Sequence, residues 1–497
     1  MAARARLAEL LDNVPAGAPA VEFDEAWWTW GDLKDVARRL AGVWTEAGTA
    51  PAARIGIVLE NRPEHLAATV SLLAQGHCLV TLSPLQPPER LAADILRSEA
   101  SAVICSPRVL AHDAVREAVL RSGLAVRLAE DGTVEAAGVG GAAVSAPGVT
   151  IEMLTSGTTG PPKRVRLGDR QFDAALVSSG QVPKPGTLLR SGTVIVATPM
   201  VHIGGLWGAV SALYAGRRLA LLPRFDLDPW VSAVERHRPS AAGLVPAALR
   251  TVLDARVPPE KLSSLRVVTC GTSPCPAELA DAFFRTYGAR VLMTYGATEF
   301  AGAVTAWTLP LHEKWWSTKA GSAGRPVPGV RIRVVDPAEG TERAPGETGV
   351  LEVRTSQAPR GEDAWTRTSD LGRVDEDGFV WIEGRADDAI VRGGFKVQPE
   401  QVRAALERHP AVREAAVAGL ADERLGHVPV AAVEVRPGHP VPGTDELTAC
   451  CREILTPYEV PVHIAVVDAL PRTPSSKVSR VELLELIGKS MAAARAA

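Results

Sequence analysis

Residues 154–163 have the composition of an anion-binding loop. They read Leu-Thr-Ser-Gly-Thr-Thr-Gly-Pro-Pro-Lys, so hydroxyl side chains alternate with glycines and a lysine closes the run. Glycine lets the backbone turn through positive φ and approach a ligand closely, and N–H groups turned in this way converge on an anion. The spacing differs from the Walker pattern GxxxxGK[ST]. The run therefore predicts a polyphosphate site, which would be formed by Thr155, Ser156, Gly157, Thr158, Thr159, Gly160 and Lys163.

Residue types that suit a nucleotide recur further along the chain. Residues 293–299 read Met-Thr-Tyr-Gly-Ala-Thr-Glu, in which the tyrosine could stack on adenine and a threonine hydroxyl could reach a phosphate. The closing carboxylate, Glu299, supplies the oxygen ligands that Mg²⁺ prefers. Asp370, within Thr-Ser-Asp-Leu-Gly, could accept both hydroxyls of a ribose with charge-assisted strength. These residues indicate a purine nucleotide bound together with Mg²⁺.

Four more stretches place a polar or charged side chain beside residues that bend the backbone. They are residues 199–206 with His202, 384–388 with Arg385 and Asp387, 392–397 with Gly393 and Gly394, and 470–480 with Lys477. The chain has nine lysines against 45 arginines. A lysine inside such a stretch is therefore more informative than an arginine would be.

In their order and approximate spacing, these stretches resemble the motifs of the adenylate-forming enzymes. That family includes acyl-CoA and aryl-CoA synthetases, luciferases and the adenylation domains of peptide synthetases. The resemblance covers nearly the whole chain. Three residues depart from it, because Arg164, Ser369 and Ser476 stand where the family usually has glycine.

The resemblance implies a set of nucleotide-binding and catalytic residues. Lys477 would be the mobile cation that meets the α-phosphate and the carboxylate, and Glu299 and Thr159 would be the Mg²⁺ ligands. His202 and Thr298 would complete the catalytic set. Beyond the phosphate loop, the ATP or AMP contacts would come from Thr272, Ser273, Thr294, Tyr295, Gly296, Thr298, Asp370, Arg385 and Lys477.

The resemblance also implies an acid pocket and a mobile domain. The pocket would be lined by Val201, His202, Gly205, Leu206, Gly271 and Phe300. Amino-acid-activating members carry an aspartate near His202, and its absence here argues against an amino-acid substrate. Asp387 would be the hinge. Gly393 and Gly394 would line the tunnel of the coenzyme A (CoA) thiol, where a pantetheine arm requires close backbone approach.

The hydrophobic pattern predicts an α/β protein. Residues 20–150 alternate buried strand-like runs with helical patterns, which indicates parallel βαβ units. Asn61 and Pro63 are start signals for one helix, and residues 131–147, rich in Gly and Ala, are predicted to be a loop. The resemblance implies a large N-terminal α/β domain of several subdomains, residues 1–384, and a small mobile C-terminal α/β domain, residues 385–497.

Bulk properties exclude several classes of protein. The net charge of −3 gives no electrostatic reason to expect nucleic acid. No apolar run is long enough for a membrane span, and no secretion signal opens the chain. The six cysteines contain no CxxC pair and indicate neither a zinc site nor a disulfide framework. A reducing cytoplasm is the expected compartment.

The predicted function is an ATP-dependent acid–CoA ligase that uses Mg²⁺ and proceeds through an acyl-adenylate. The pocket stretches 201–207, 270–273 and 300–302 contain no Lys or Arg, so an acid with a neutral aliphatic or aromatic tail fits better than a dicarboxylate. Two alternatives stay open. One is an adenylating enzyme that loads the phosphopantetheine of a carrier protein, and the other is a non-catalytic protein that binds AMP or an acyl group.

Overall fold

The structure is a computed structural model. It describes residues 3–138, 144–155, 163–178, 180, 183–271, 275–385, 389–436, 438–471 and 478–496. The expected hinge, the catalytic lysine and most of the phosphate loop lie outside these ranges. So do Thr272 and Ser273.

The described residues form fifteen α-helices. They are Ala3–Asn13, Trp30–Glu46, Pro63–Ala74, Pro88–Ser98, Pro107–Leu110, Asp113–Ser122, Asp169–Ser178, Ile203–Tyr214, Leu227–His237, Pro246–Asp254, Ala277–Tyr287, Leu309–Lys319, Pro399–Leu406, Thr444–Arg452 and Arg480–Ala496. Three short 3₁₀ turns accompany them, at Pro259–Leu262, Thr298–Phe300 and Gly361–Asp363. None of the described helices has both the length and the apolar character that crossing a bilayer requires.

A seven-stranded sheet occupies the first part of the chain. In spatial order its strands are Val134–Ala137, Leu124–Leu128, Ala102–Cys105, Arg54–Val58, Cys78–Leu82, Val149–Thr155 and Lys163–Gly168. The interior pairs are parallel, which confirms the predicted βαβ units. The edge strand Val134–Ala137 pairs antiparallel with Leu124–Leu128, so the prediction of a loop throughout residues 131–147 is wrong.

Two mixed sheets and one antiparallel sheet complete the large N-terminal domain. The first mixed sheet has the order Thr193–Val196, Arg218–Leu221, Pro19–Phe23 and Ala26–Thr29. The second has the order Ala241–Leu244, Val267–Cys270, Arg290–Ala297, Gly302–Ala306 and Arg325–Pro326. The antiparallel sheet has the order Arg331–Val335, Gly349–Arg354, Thr366–Val374 and Val380–Arg385.

The small C-terminal domain is built on one further sheet. Its strands run in the order Phe395–Val397, Ile390–Arg392, Gly426–Val435 and Val412–Asp422, and His463–Val467 pairs parallel with Gly426–Val435. Two apolar clusters hold it, one against the helices Pro399–Leu406 and Thr444–Arg452 and one against Arg480–Ala496. The α/β class and the division into a large and a small domain are thus as predicted, and the boundary at residue 384 stays a prediction.

One buried asparagine joins the first two sheets of the large domain. The amide nitrogen of Asn61 donates to the carbonyl oxygens of Thr198 and Leu222, each at 3.0 Å. Its amide oxygen accepts from the backbone N–H of Met200 at 2.6 Å. The sequence predicted Asn61 only as a helix-start signal, whereas the helix is preceded by Arg62 and the Asn61 side chain contacts the neighbouring sheet instead. Asn61 therefore fixes the backbone of residues 198–200, which end two positions before His202.

We expect Asn61→Ala to lower the free energy of unfolding by about 3 kcal/mol, because it leaves two carbonyls and one N–H unpaired in a buried position. The chain has one other asparagine, Asn13, which is exposed at the end of the first helix. Asn13→Ala is therefore a matched control, expected to change stability by less than about 0.5 kcal/mol. Urea denaturation followed by circular dichroism measures both, and equal stability of the two variants would contradict the cross-linking role of Asn61.

Candidate active site

Several predicted site residues meet around one strand end. Strand Arg290–Ala297 runs into the 3₁₀ turn Thr298–Phe300 and returns as strand Gly302–Ala306. Strand Lys163–Gly168, which leaves the phosphate loop, lies beside this turn, and helix Ile203–Tyr214 contacts the returning strand. The backbone therefore brings the loop's exit strand, the Glu299 turn and the helix that follows His202 close to one another.

The predicted adenine and ribose residues contact each other directly. The Tyr295 hydroxyl donates to Oδ2 of Asp370 at 2.7 Å. The backbone N–H of Asp370 donates to Thr368 Oγ1 at 3.0 Å, and that hydroxyl donates to the carbonyl of Leu351 at 2.8 Å. Burial, and then the neighbouring carboxylate, raise the pKa of Tyr295 well above its usual value, so its hydroxyl keeps its proton. Asp370 is thus oriented before any nucleotide is bound.

Close backbone packing surrounds this pair. A Cβ added to Gly296 would lie 2.0 Å from the carbonyl oxygen of Gly302, and one added to Gly271 would lie 2.6 Å from Thr294 Oγ1. Neither position has room for a side chain, because real Cβ atoms do not approach other atoms so closely. Arg385 lies opposite Asp370 in the register of the antiparallel sheet, which places its backbone next to the ribose candidate.

His202 lies at the N-terminal end of helix Ile203–Tyr214, with its ring between the two domains. Its side chain does not cap the helix. Burial lowers the pKa of His202 to about 4, so the ring is neutral near pH 7. Within the described residues its buried Nε2 has no hydrogen-bond partner. The ring of Phe395, from the small domain, meets it edge-on with 4.7 Å between centroids. A neutral imidazole with one unused nitrogen could hydrogen-bond a carboxyl group.

The other predicted pocket residues lie around the start of the same helix. Val201, Leu206 and Phe300 are buried, and a Cβ on Gly205 would lie 2.2 Å from the carbonyl oxygen of Pro199. Gly205 is therefore required for the helix to pack against the segment that Asn61 holds. Trp207, whose role the sequence did not single out, packs against Phe172 with 5.1 Å between ring centroids. Its Nε1 donates to the carbonyl of Ala301.

Glu299 is the predicted Mg²⁺ ligand that lies within the described residues. Its side chain is partly exposed, and the described residues include no ion-pair partner for it. No group of three or more His, Cys, Asp or Glu side chains suited to a metal was found in the described ranges. Of the two predicted Mg²⁺ ligands, Glu299 lies within the described residues and Thr159 lies outside them. Phosphate oxygens commonly supply further ligands to Mg²⁺ at nucleotides.

Some of the remaining predicted site residues lie within the described residues, and the others lie outside them. Gly393 and Gly394 have positive φ, 55° and 88°, at the tip of the hairpin that carries Phe395. Thr155 and Lys163 face each other across the base of the phosphate loop, at the last register position of the two strands. Outside the described residues lie Ser156, Gly157, Thr158, Thr159, Gly160, Thr272, Ser273, Asp387 and Lys477.

Family models match most of the chain in two blocks. Residues 8–361 match the AMP-binding enzyme family, and residues 401–477 match the AMP-binding enzyme C-terminal domain. The indoleacetate–CoA ligase of Aromatoleum aromaticum is 29% identical over 97% of this chain and 98% of the relative. A fatty acid–[acyl-carrier-protein] ligase of Streptomyces coeruleorubidus is 34% identical over 67% of this chain and 66% of the relative.

The o-succinylbenzoate CoA synthetase of Bacillus subtilis is a structural relative known in two complexes, each 25% identical to this chain. The complex of a double mutant with the product analogue OSB-NCoA gives a TM-score of 0.81, with 97% of this chain and 98% of that chain covered. The complex with the acyl-adenylate OSB-AMP gives 0.64, with 96% and 97% covered. The present chain thus superposes better on the CoA product-analogue complex than on the acyl-adenylate complex.

Arg164 comes directly after the phosphate loop in the sequence, and its side chain is held by residues outside the loop. Its guanidinium donates to Asp94 Oδ1 at 2.8 Å and to the carbonyl of Thr81 at 3.1 Å. The Asp94 side chain is 1% exposed and lies on helix Pro88–Ser98. The arginine that departs from the family pattern therefore neutralises a buried carboxylate and fixes the loop's exit strand to that helix.

We expect Arg164→Gly to lower the free energy of unfolding by about 3 kcal/mol or more, because it leaves the Asp94 carboxylate buried without a cation. Arg166→Gly is the matched control on the same strand. The Arg166 side chain is 61% exposed, and Glu152, its partner, also pairs with Arg54. Thermal and urea denaturation measure the difference.

The double variant Arg164→Gly with Asp94→Asn should recover part of the loss, because the buried charge is then gone. Equal losses in Arg164→Gly and Arg166→Gly would show that Asp94 does not depend on Arg164.

Proposed function

Since the chain belongs to the family of AMP-binding enzymes, we propose that it is an ATP-dependent acid–CoA ligase. It would join a carboxylic acid to AMP with release of pyrophosphate, and then transfer the acyl group to the thiol of CoA. The observation that carries the proposal is the Tyr295–Asp370 hydrogen bond, close to the Glu299 turn. The bond orients the Asp370 side chain, in the same region as Glu299, which has no ion-pair partner among the residues that the structure describes.

In the first half-reaction the acid's carboxylate oxygen attacks the α-phosphorus of ATP, and pyrophosphate leaves. Two anions must be brought together in line, so catalysis here rests on positioning and on stabilising developing charge. The loop that ends at Lys163 would hold the outgoing phosphates, Asp370 the ribose, and Lys477 the α-phosphate. Bound Mg²⁺ would neutralise phosphate charge beside Glu299.

In the second half-reaction the CoA thiol gives up its proton to solvent and its sulfur attacks the acyl carbon. AMP leaves with the electron pair of the broken acyl–oxygen bond. Pyrophosphate must leave its site and a thiol must enter the acid pocket. One rigid arrangement of the two domains cannot meet both requirements. Rotation of a small domain is a common solution to such alternation, and Asp387 is the proposed hinge. Gly393 and Gly394 would then border the path of the thiol.

The acid that best fits has a neutral tail, aromatic or aliphatic. The predicted pocket residues Val201, Leu206 and Phe300 are buried apolar side chains, and Trp207, in the same stretch, packs against Phe172. A second carboxylate would find no lysine or arginine in residues 201–207 or 300–302. The similarity to an indoleacetate–CoA ligase along nearly the whole chain favours an aromatic acid.

The acceptor thiol could also be carried by a protein. The relative that ligates fatty acids to acyl-carrier protein favours this second candidate over two thirds of the chain. CoA is preferred because the indoleacetate–CoA ligase matches 97% of the chain, including the small domain that would receive the thiol. All six cysteines are free thiols, which suits a reducing compartment such as the cytoplasm.

Pyrophosphate release with ATP, Mg²⁺ and a panel of carboxylic acids, with and without CoA, tests the proposal. We expect release that depends on an aromatic or aliphatic monocarboxylate and becomes multi-turnover only with CoA. A single-turnover burst that CoA does not change, but that a phosphopantetheinylated carrier protein does, would favour the carrier-protein alternative. Nucleotide binding without release for any acid would overturn the proposal in favour of a non-catalytic protein, and efficient use of malonate would overturn the neutral-tail assignment.

We expect Lys477→Ala to slow acid-dependent pyrophosphate release by roughly 10²–10³-fold. A cation about 4 Å from a phosphate contributes on the order of 4 kcal/mol at an effective dielectric constant of about 20, and each 1.36 kcal/mol is a factor of about ten in rate. Lys489→Ala, at an exposed position of the last helix, is the matched control. More than half of the wild-type rate in Lys477→Ala would remove this lysine from the mechanism.

A further inference from the structure

One contact between the small and the large domain is made by a short segment, residues 456–460, which we call the docking segment. Its sequence is Thr-Pro-Tyr-Glu-Val, and it precedes strand His463–Val467. Glu459, its fourth residue, is almost fully buried. Oε2 of Glu459 accepts from the backbone N–H and from the hydroxyl of Thr456, both at 2.8 Å. The carboxylate is thus held in one orientation by its own domain.

Arg90 of the large domain reaches this carboxylate with both terminal nitrogens. The distances are 2.8 Å from Nη1 to Oε2 and 3.4 Å from Nη2 to Oε1 of Glu459. Nη1 also donates to the carbonyl of Ile454 at 3.2 Å, and Nη2 to Oε1 of Gln401 at 3.1 Å. Arginine's planar fork suits such a two-point contact with a carboxylate. One large-domain side chain therefore contacts three residues of the small domain.

The docking segment is tied in turn to the glycine hairpin. Nη1 of Arg392, the residue before Gly393, donates to the carbonyls of Tyr458 at 2.8 Å and Val460 at 3.0 Å. On the other side of the hairpin, Phe395 stacks on Tyr458 with 4.2 Å between centroids and 25° between planes. The positions of Glu459 and of the hairpin are therefore coupled within the small domain.

The hairpin meets the candidate acid pocket, because Phe395 also contacts the ring of His202. A continuous series of contacts thus runs from Arg90 through Glu459, Tyr458 and Phe395 to His202. Its two ends are both in the large domain, and the small domain lies between them. A rotation of the small domain that moved the hairpin away from His202 would also separate Arg90 from Glu459.

We propose that Arg90 and Glu459 are positioning residues for the thioester half-reaction, and that their ion pair latches the small domain in the orientation that places the Gly393–Gly394 hairpin at the acid pocket. This inference rests on the proposed function. Two observations identify the half-reaction. The hairpin is the element proposed to border the thiol's path, and the chain is closer to the CoA product-analogue complex than to the acyl-adenylate complex of the Bacillus subtilis enzyme. Adenylation requires the latch to open.

The test separates the two half-reactions in Arg90→Met. Adenylation is measured as acid-dependent exchange of labelled pyrophosphate into ATP, and thioester formation as single-turnover consumption of preformed acyl-AMP after CoA is added. We expect the thioester step to slow on the order of tenfold, the effect of losing about 1.4 kcal/mol from the latched state, and exchange to stay within about twofold of wild type or rise.

Arg97→Met is the matched control, because Arg97 lies exposed on the same helix. It should leave both half-reactions unchanged. Glu459→Gln and the double variant complete a cycle. We expect the double variant to lose no more thioester activity than the slower single variant, since either change breaks the same pair. Glu459→Gln also disturbs the Thr456 contacts, and Arg90→Met leaves a buried carboxylate without its cation. The melting temperature of every variant is therefore measured, and both half-reactions are compared at a temperature at which all the variants stay folded.

Each of the other possible results of these measurements contradicts a specific part of the proposal. Equal loss of both half-reactions in Arg90→Met would assign Arg90 a general structural role. Loss of exchange alone would assign the latched state to adenylation. No change in either, or additive losses in the cycle, would remove the pair from the mechanism. Absence of exchange in wild type and Arg97→Met would instead refute the proposed function, and carrier-protein-dependent transfer in place of CoA would change only the acceptor.

Discussion

The geometry of the site depends on the three hydrogen bonds of Asn61. One buried amide serves two carbonyls and one N–H that belong to a different sheet, more than 130 residues away in sequence. A primary amide can do this because it offers donors and an acceptor at once, which neither a carboxylate nor a hydrocarbon side chain can. The backbone of residues 198–200 is thereby fixed, and with it the entry of the helix that positions His202, Gly205 and Trp207.

The second constraint is close approach between backbone segments, and at Gly205 it depends on the segment that Asn61 fixes. Gly205 can lie against Pro199 only because no side chain intervenes, and Pro199 is held between the two residues that Asn61 contacts. Gly296 lies against Gly302 in the same manner, next to Tyr295. These glycines let neighbouring backbone segments pack closely, whereas the Asp370 side chain is oriented by the hydroxyl of Tyr295.

Arginine supplies the cation in most ion pairs of the described residues, and helix Pro88–Ser98 takes part in two of them. At two positions four residues apart, Arg90 contacts the small domain and Asp94 receives Arg164 from the strand that leaves the phosphate loop. One turn of helix therefore lies between the interdomain contact and the base of the proposed polyphosphate site. Because both contacts involve a nearly buried carboxylate, each has a well-defined geometry, unlike an exposed ion pair.

The sequence by itself determined the family, the α/β class, the parallel units of the first sheet and the identity of the nucleotide candidates such as Tyr295 and Asp370. Those features depend on short stretches of sequence, either on the hydrophobic periodicity within a strand or on the residue types within a motif. The exposed edge strand Val134–Ala137 was missed because four mostly exposed residues have no periodicity to reveal them. Only the tertiary structure decided which of 45 arginines pairs with which carboxylate, that Asn61 joins two sheets, and that Phe395 meets His202. The reason is physical. A buried charge or amide requires a partner, which the sequence can indicate, but the packing of segments that are distant in sequence determines which residue that partner is.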